Sequence, residues 1–388
     1  MTTAKNDLVF IHGLGLLSPL GLGVEAHWRA IRNDRRLVDR GVIPDELIER
    51  ALRVGKCGFA CPQKFHHLSW DRSIVLALAA ALSAWDDAGW PPEFRRRDTG
   101  LFLATSKGPA LTWLAACGAL KTGLPGLLSE SNAWHVAMGP AALGAALAEI
   151  LEWEGAVHTS VAACASALVA AHRAVEALRC GECRRAIVVA ADASVHPFFE
   201  SGLNNLGVLA PPGADAHRHC RPFSDEGTGF FISEAAAAIC LSRAAHASPA
   251  IGATWLGSDA THLVSADAQA HSLTTGLSRL ADGLPVAFVH AHATGTRHDR
   301  YELAAIRRVC GERTPVFSHK QWLGHSLGAS GLVALILSAV CHRKRCTLDG
   351  RPLEAGGRSI TIAQGFGGPI GMCRLQEAHR GSGGKRGL

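Results

Sequence analysis

No apolar run in this 388-residue chain reaches the length that crosses a membrane; the longest, Gly331 to Cys341, has the length of a core helix. Residues 1–7 hold no apolar segment of the kind that heads a secreted chain. An excess of one charge is missing as well: 39 Lys and Arg against 33 Asp and Glu give +6 with the 20 histidines neutral. The basic residues are dispersed, apart from short runs such as Arg95 to Arg97 and Arg343 to Arg345. That argues against a nucleic-acid binder and suits an acidic protein partner. The 12 cysteines follow no regular spacing, so a cytosolic chain with reduced thiols is expected, not a disulfide framework. Cys57, Cys61, His66 and His67 fit no common zinc spacing, and Cys180-Gly-Glu-Cys183 lacks a second pair, so both read as loop. Tyr301 is the single tyrosine; abundant alanine and glycine suit tight packing of helices on sheets.

What is present is a globular composition, 48% hydrophobic and 19% charged, on a chain long enough for two domains or one large duplicated unit. Leu8 to Ile11 reads as a buried strand that turns at Gly13-Leu-Gly15 and Ser18-Pro-Leu-Gly21. A dinucleotide fingerprint is not met there, because the third glycine is off its offset and Pro19 stands where a helix would begin. Helices are expected from Val24 to Asn33, from Asp71 to Ala88, within Ala137 to Trp153, and from Ala165 to Leu178. Strands are expected from Gly100 to Ala104, Ala186 to Ala191 and Ala235 to Leu241. After a seam near residues 242–249, strands at Val286 to Val289, Thr314 to Phe317 and Ile360 to Ile362 alternate with helices at Glu302 to Val309 and Ser326 to His342. Both halves therefore point to buried, largely parallel sheets covered by helices. Residues 1–245 are expected to form one half, 246–376 the other, and 377–388 a polar, glycine-rich disordered tail.

Chemistry gathers at three places. Cys164 stands among small residues in Ser160-Val-Ala-Ala-Cys-Ala-Ser-Ala-Leu168, just ahead of a helix whose start is expected to lower the thiol pKa. A buried structural cysteine is the bland alternative. His292, in His290-Ala-His-Ala-Thr-Gly-Thr296, follows a strand. His325 closes Ser318-His-Lys-Gln-Trp-Leu-Gly-His325, which also holds Lys320. Active-site residues of open α/β sheets gather at strand exits, and two such histidines with a lysine and a cysteine segment are hard to explain as polar caps.

These motifs, in this order, resemble the β-ketoacyl synthases, the decarboxylating condensing enzymes of the thiolase superfamily. The resemblance runs from Leu8 to about Met372. It rests on Gly13-Leu-Gly15 with Ser18-Pro-Leu-Gly21, Ala163-Cys-Ala-Ser166, Arg221-Pro-Phe223 with Gly229-Phe230, His292-Ala-Thr-Gly-Thr296 with Asp299 and Glu302, Lys320 with Gly324-His325, and Gly365-Phe-Gly-Gly368. It implies an α/β, thiolase-like duplicated five-layer αβαβα sandwich and an acyltransferase. It implies that Cys164 accepts an acyl chain from a carrier protein, and that His292 and His325 assist decarboxylation of a malonyl unit. Lys320 would orient the histidines, with Glu302 holding its network. The N–H groups of Cys164 and Phe366 would form an oxyanion hole, Thr294 and Thr296 would bind the phosphopantetheine arm, and Phe230 and Phe366 would gate the site. No free cofactor, metal or nucleotide is implied. The implied partners are an acyl carrier protein and a second ketosynthase chain, as a homodimer or as a heterodimer with a chain-length-factor-like subunit. Carrier docking is expected at basic residues such as Lys64 and Arg72.

The chain departs from the family at Lys107, where relatives carry an aliphatic residue lining the acyl pocket. This points to a short, polar or conjugated acyl chain, and to polyketide or aryl-polyene-type synthesis at least as much as to fatty-acid synthesis. Pro369-Ile-Gly371 stands where relatives carry an asparagine, and the chain is somewhat short for the family. Two other readings are a non-catalytic chain-length-factor-like partner, which the retained Cys164, His292 and His325 oppose, and a thiolase-type acyltransferase. The latter needs a second cysteine near the C-terminal glycines, where only Cys373 is close.

Overall fold

Among the described residues eleven strands form, and ten of them fall into two sets with one shared order. In chain order they are β1 (Val9–Ser18), β2 (Gly21–Leu22), β3 (Thr99–Ala104), β4 (Val157–Ser160), β5 (Arg185–Asp192), β6 (Ala235–Ser242), β7 (Ala250–Ser258), β8 (Phe288–His290), β9 (Val316–Phe317), β10 (Arg358–Gln364) and β11 (Pro369–Gln376). The computed structural model describes residues 7–37, 40–54, 71–91, 97–122, 137–211, 220–247 and 249–377. Lys64 and the Cys57, Cys61, His66, His67 group lie outside the described residues, as does 378–388.

The first set runs β4-β3-β5-β6-β1 and the second β9-β8-β10-β11-β7; a short antiparallel contact, Val9 with Ile251 and Phe10 with Ala250, joins β1 to β7. Pairing directions match as well. β3/β4, β3/β5, β8/β9 and β8/β10 are parallel, whereas β5/β6, β1/β6, β10/β11 and β7/β11 are antiparallel. The chain is thus a duplication, as its alternating pattern suggested. The sheets are mixed and not largely parallel, because β6 runs antiparallel to β5 and β1, and β11 antiparallel to β10 and β7; β4, β7 and β11 did not stand out in the sequence.

Helices Ser166–Cys180 and Ser330–Lys344 pack against both strand sets and form the central layer. Arg72–Ala88 and Ala142–Ile150 cover the first set, and His271–Ala281 with Asp299–Cys310 covers the second. The result is a five-layer αβαβα sandwich. A central-layer helix meets a sheet on each side, so Ser330–Lys344 is apolar nearly all round and buried from Ser330 to His342. This is the long apolar run of the sequence, and its length is set by the core.

Local chemistry places the ends. Asp71 caps Arg72–Ala88 by accepting the Ser73 N–H at 2.9 Å, and Gly89 ends the helix in the left-handed region at φ 62. The helix expected from Ser326 begins later: Leu327–Ala329 is a 3₁₀ turn and the α-helix starts at Ser330.

The expected turn at Gly13-Leu-Gly15 is not a turn. β1 runs straight through it to Ser18, and the glycines are there for space. A Cβ at Gly13 would sit 2.1 Å from the Ala84 carbonyl oxygen, and one at Gly15 2.2 Å from that of Ala80. Helix Arg72–Ala88 lies directly on the strand. Gly15→Ala is therefore expected to cost about 1–3 kcal/mol by overpacking, read as a lower urea midpoint at unchanged slope.

Candidate active site

The turn before helix Ser166–Cys180 lifts Cys164 out of the sheet. Ala163 takes a left-handed conformation at φ 48, and Ser166 Oγ secures the turn by accepting the Ala162 N–H at 2.8 Å while donating to the Ala163 carbonyl at 2.6 Å. Cys164 is 7% exposed, within an apolar shell of Ile232, Leu327, Val195 and Leu203. His325 Nε2 lies 3.2 Å from its sulfur.

The second strand set delivers the rest. His292 follows β8, its ring 5.4 Å from that of His325 and nearly perpendicular to it. Glu302 is 2% exposed, and its two oxygens accept the N–H groups of His292 at 2.7 Å and Ala293 at 2.8 Å. Asp299 likewise accepts from Thr294 N and Gly295 N at 2.9 and 2.8 Å. These first-turn carboxylates of helix Asp299–Cys310 hold the whole histidine loop by its backbone. Lys320, 2% exposed, donates its ammonium to the His292 carbonyl oxygen.

Burial dominates the electrostatics. It pushes Lys320 down to about 8 and Glu302 up to about 7, each opposed by the charge of the other. His292 and His325 lie well below the ordinary histidine value, through burial and then the Lys320 charge, so both imidazoles are neutral at pH 7. The Cys164 thiol rises to about 11: desolvation outweighs the pull of Lys107 and Lys320. A thiol lowered at rest by the helix start was the expectation; the helix begins two residues later, at Ser166, and burial wins. The sulfur is thus a neutral thiol at rest, with a neutral imidazole in reach of its proton.

One pocket of about 950 Å³, its open mouth included, reaches Cys164, His292 and His325. Thr294 and Thr296 line it, their hydroxyls 3.1 Å apart, together with Phe230 and Phe366. Phe230 is buried and sets its ring edge against His325 at 4.9 Å; Phe366 is 39% exposed. The glycine loop touches the nucleophile turn: a Cβ at Gly365 would sit 2.6 Å from the Ala162 carbonyl oxygen. Pro369, which stands in place of the asparagine, begins β11, and its carbonyl accepts the Gly365 N–H at 2.8 Å.

Some expected residues fall elsewhere. Lys107 does not line this pocket; its ammonium is held by Ser194, the neighbour of Val195 in the thiol's apolar shell. Arg72 is not free to meet a partner: it is committed to Glu234 at 2.7 Å, Asp45 at 2.6 Å and the Ile43 carbonyl. Cys373 is buried in β11 opposite Thr254, away from the pocket, so no second cysteine serves a thiolase cycle there.

Sequence reasoning missed a buried pair, His290 and His319. His290 Nε2 meets His319 Nδ1 at 3.0 Å, and the ring ends reach Ser338 and Ser330 at 3.0 and 3.2 Å. The pair ties the β8 exit to the segment bearing Lys320. Its only sequence signal is a histidine two residues before His292 and another directly before Lys320.

A central nucleophile under two neutral imidazoles, at the junction of a duplicated sandwich, defines a condensing acyltransferase. The profile of the β-ketoacyl synthase N-terminal domain matches residues 6–247 and that of the C-terminal domain residues 257–348. The chain belongs to the β-ketoacyl synthase family. A Streptomyces halstedii protein named as a polyketide β-ketoacyl synthase 1 is 28% identical over 93% of this chain and 96% of its own. Among solved structures, the ishigamide ketosynthase/chain length factor superposes with a TM-score of 0.81 at 21% identity, over 96% of this chain and 100% of that one. A type II polyketide ketosynthase solved with its acyl-carrier protein gives 0.78 at 19%, again over 96% and 100%.

Proposed function

We infer that this chain elongates carrier-protein-bound acyl chains in polyketide-type synthesis, with Cys164 as the acyl acceptor. The observation that carries this reading is the 3.2 Å approach of His325 Nε2 to a buried thiol that shares one pocket with His292, Thr294 and Thr296.

In the first half-reaction Cys164 Sγ attacks the thioester carbonyl of the acyl chain, and His325 takes the thiol proton as the C–S bond forms. The negative oxygen of the tetrahedral intermediate is held by the N–H groups of Cys164 and Phe366. The carrier's C–S bond breaks and its thiolate leaves with that proton. In the second half-reaction a malonyl thioester enters the same pocket, its pantetheine arm hydrogen-bonded by Thr294 and Thr296. Neutral His292 and His325 donate to the thioester oxygen. The bond to the carboxylate breaks, CO2 departs, and the electron pair becomes an enolate stabilised by both imidazoles. The enolate carbon attacks the acyl carbonyl on Cys164, the new C–C bond forms, and Cys164 leaves as a thiolate that takes up a proton from solvent through His325. Lys320 and Glu302 keep the His292 loop in place. The chain needs no free cofactor in this scheme, since phosphopantetheine arrives on the carrier. Residues 1–245 supply the nucleophile, and 246–376 the histidines.

The partner is an acyl carrier protein, as in the solved carrier complex, and a second ketosynthase-like chain completes the particle, as in the ketosynthase/chain length factor structure. The experiment incubates the chain with malonyl-carrier protein and a panel of acyl-carrier proteins, alone and with a co-expressed neighbouring ketosynthase-like subunit, and follows intact mass. The expected result is an acyl adduct on Cys164, then a product two carbons longer. An absence of both adduct and product for every thioester, with and without the second subunit, would overturn the reading.

A further inference from the structure

An ammonium lies close enough to the thiol for its charge to act on it. Lys107 Nζ donates to Ser106 Oγ at 2.8 Å and to Ser194 Oγ at 3.4 Å. Both hydroxyls give their own hydrogens to the buried carboxylate of Asp192. They are therefore oriented as acceptors toward the lysine, and the Lys107 charge is balanced by Asp192 one hydroxyl away. Asp192 also accepts the N–H groups of Ser106 at 3.1 Å and Gly328 at 3.2 Å, so its oxygens are satisfied without direct contact from the lysine. An ammonium carries three donors and the hydroxyls take two. The Phe199 ring lies 4.9 Å from Nζ.

The position of this ammonium along the acyl path follows from helix Pro197–Asn205. Leu203 and Phe199, four residues apart, share one face of that helix. Leu203 packs on the Cys164 shell, and Phe199 packs on Lys107. Ser194, which holds the ammonium, directly precedes Val195 of the same shell. One helical turn is about 5.4 Å, the reach of roughly four to five carbon–carbon bonds. An acyl chain on Cys164 that runs along this face brings its fourth to sixth carbon to Lys107.

We propose that Lys107 is a specificity-determining residue that recognises an oxygen acceptor, a keto or carboxylate oxygen near the fifth carbon, on the acyl chain carried by Cys164. A saturated chain at that place covers the ammonium without replacing its hydrogen bonding to water, whereas an oxygen accepts its third N–H. The inference rests on Cys164 as the acyl acceptor.

The test loads three thioesters of matched length onto the whole protein: hexanoyl, 5-oxohexanoyl and glutaryl pantetheine. Acylation of Cys164 is timed by intact mass for wild type, Lys107→Met and Lys107→Gln. The ratio of oxygenated to saturated loading within one protein cancels any change in thiol reactivity. In wild type the better oxygenated chain is expected to load about tenfold or more faster than hexanoyl, the strength of one hydrogen bond to a charged group. Which of the two leads tells a keto from a carboxylate acceptor. In Lys107→Met the ratio falls to about one; Lys107→Gln, which keeps a neutral donor, lies between. Equal loading of all three chains by wild type, or a ratio unchanged in Lys107→Met, overturns the proposal and leaves Cys164 as acceptor. No loading of any chain overturns both.

Discussion

Cys164→Ala is expected to abolish condensation, with kcat/KM for the elongated product falling by roughly 10⁴-fold or more, because the acyl chain has no other covalent carrier in the pocket. Release of CO2 from a malonyl thioester should continue in the same variant. That step draws on His292 and His325, both of which the variant keeps; the His292 loop hangs from Glu302 through the backbone N–H groups of His292 and Ala293. The measurement pairs intact mass of the products with trapping of labelled CO2 from malonyl-carrier protein. Persistent condensation would remove Cys164 from the role of nucleophile. Loss of both activities would show that the thiol is needed to keep His325 in place, given their 3.2 Å contact.

Lys320→Met should be the most destabilising single change in the site. The lysine is 2% exposed; it supplies the ammonium on the His292 carbonyl, and its charge adds to the His292 and Ala293 N–H groups that oppose the burial of Glu302. Removing it leaves the buried His292 carbonyl without its charged donor and Glu302 without a nearby cation, at a cost of about 1–3 kcal/mol. The pH dependence identifies the stranded group. Glu302 already sits at about 7 against an ordinary value of 4.5, with burial the largest cause. A carboxyl raised in the folded state holds a proton that the unfolded chain releases. Its contribution to stability is present below about 4.5 and is lost as pH rises through the folded value. Without Lys320 that folded value climbs further, so the two proteins lose stability in parallel up to about pH 7 and the deficit of the variant should widen as pH rises from about 7 to about 9 in urea unfolding. A deficit that stayed constant across this range would place the loss in packing. Condensation should fall as well, since the His292 loop loses its clamp.

The legible parts of this protein were those whose chemistry constrains neighbours in sequence. Ala163-Cys164-Ala165-Ser166 is readable because a sharp turn needs small residues around the sulfur, and Ser166 proves to be the residue that pins the turn. His292 with Glu302, and Lys320 with His325, are close enough in the chain to be read as units, and their folded contacts keep that closeness. Arg72 misled because an exposed-looking arginine gives no sign of Glu234, 162 residues away, to which it is tied. β4, β7 and β11 escaped notice because short or glycine-interrupted strands carry little periodic signal. Gly13 and Gly15 were read as a turn, although what they answer to is the backbone of a helix some seventy residues on.

Sequence alone determined the class of chemistry: the nucleophile, the two histidines, the lysine, and the repeated alternation of strand and helix. Those features depend on residue type and local spacing. Tertiary structure decided the protonation states and the surroundings of Lys107. Burial, which no local pattern reports, lifts the Cys164 thiol to about 11 and holds both imidazoles neutral, so the resting site is uncharged at the sulfur. Packing of helix Pro197–Asn205 put Leu203 on the thiol shell and Phe199, one turn away, on Lys107, whose two serine partners are held by Asp192. Solvent exclusion and the meeting of distant segments set both, and these exist only once the chain has folded.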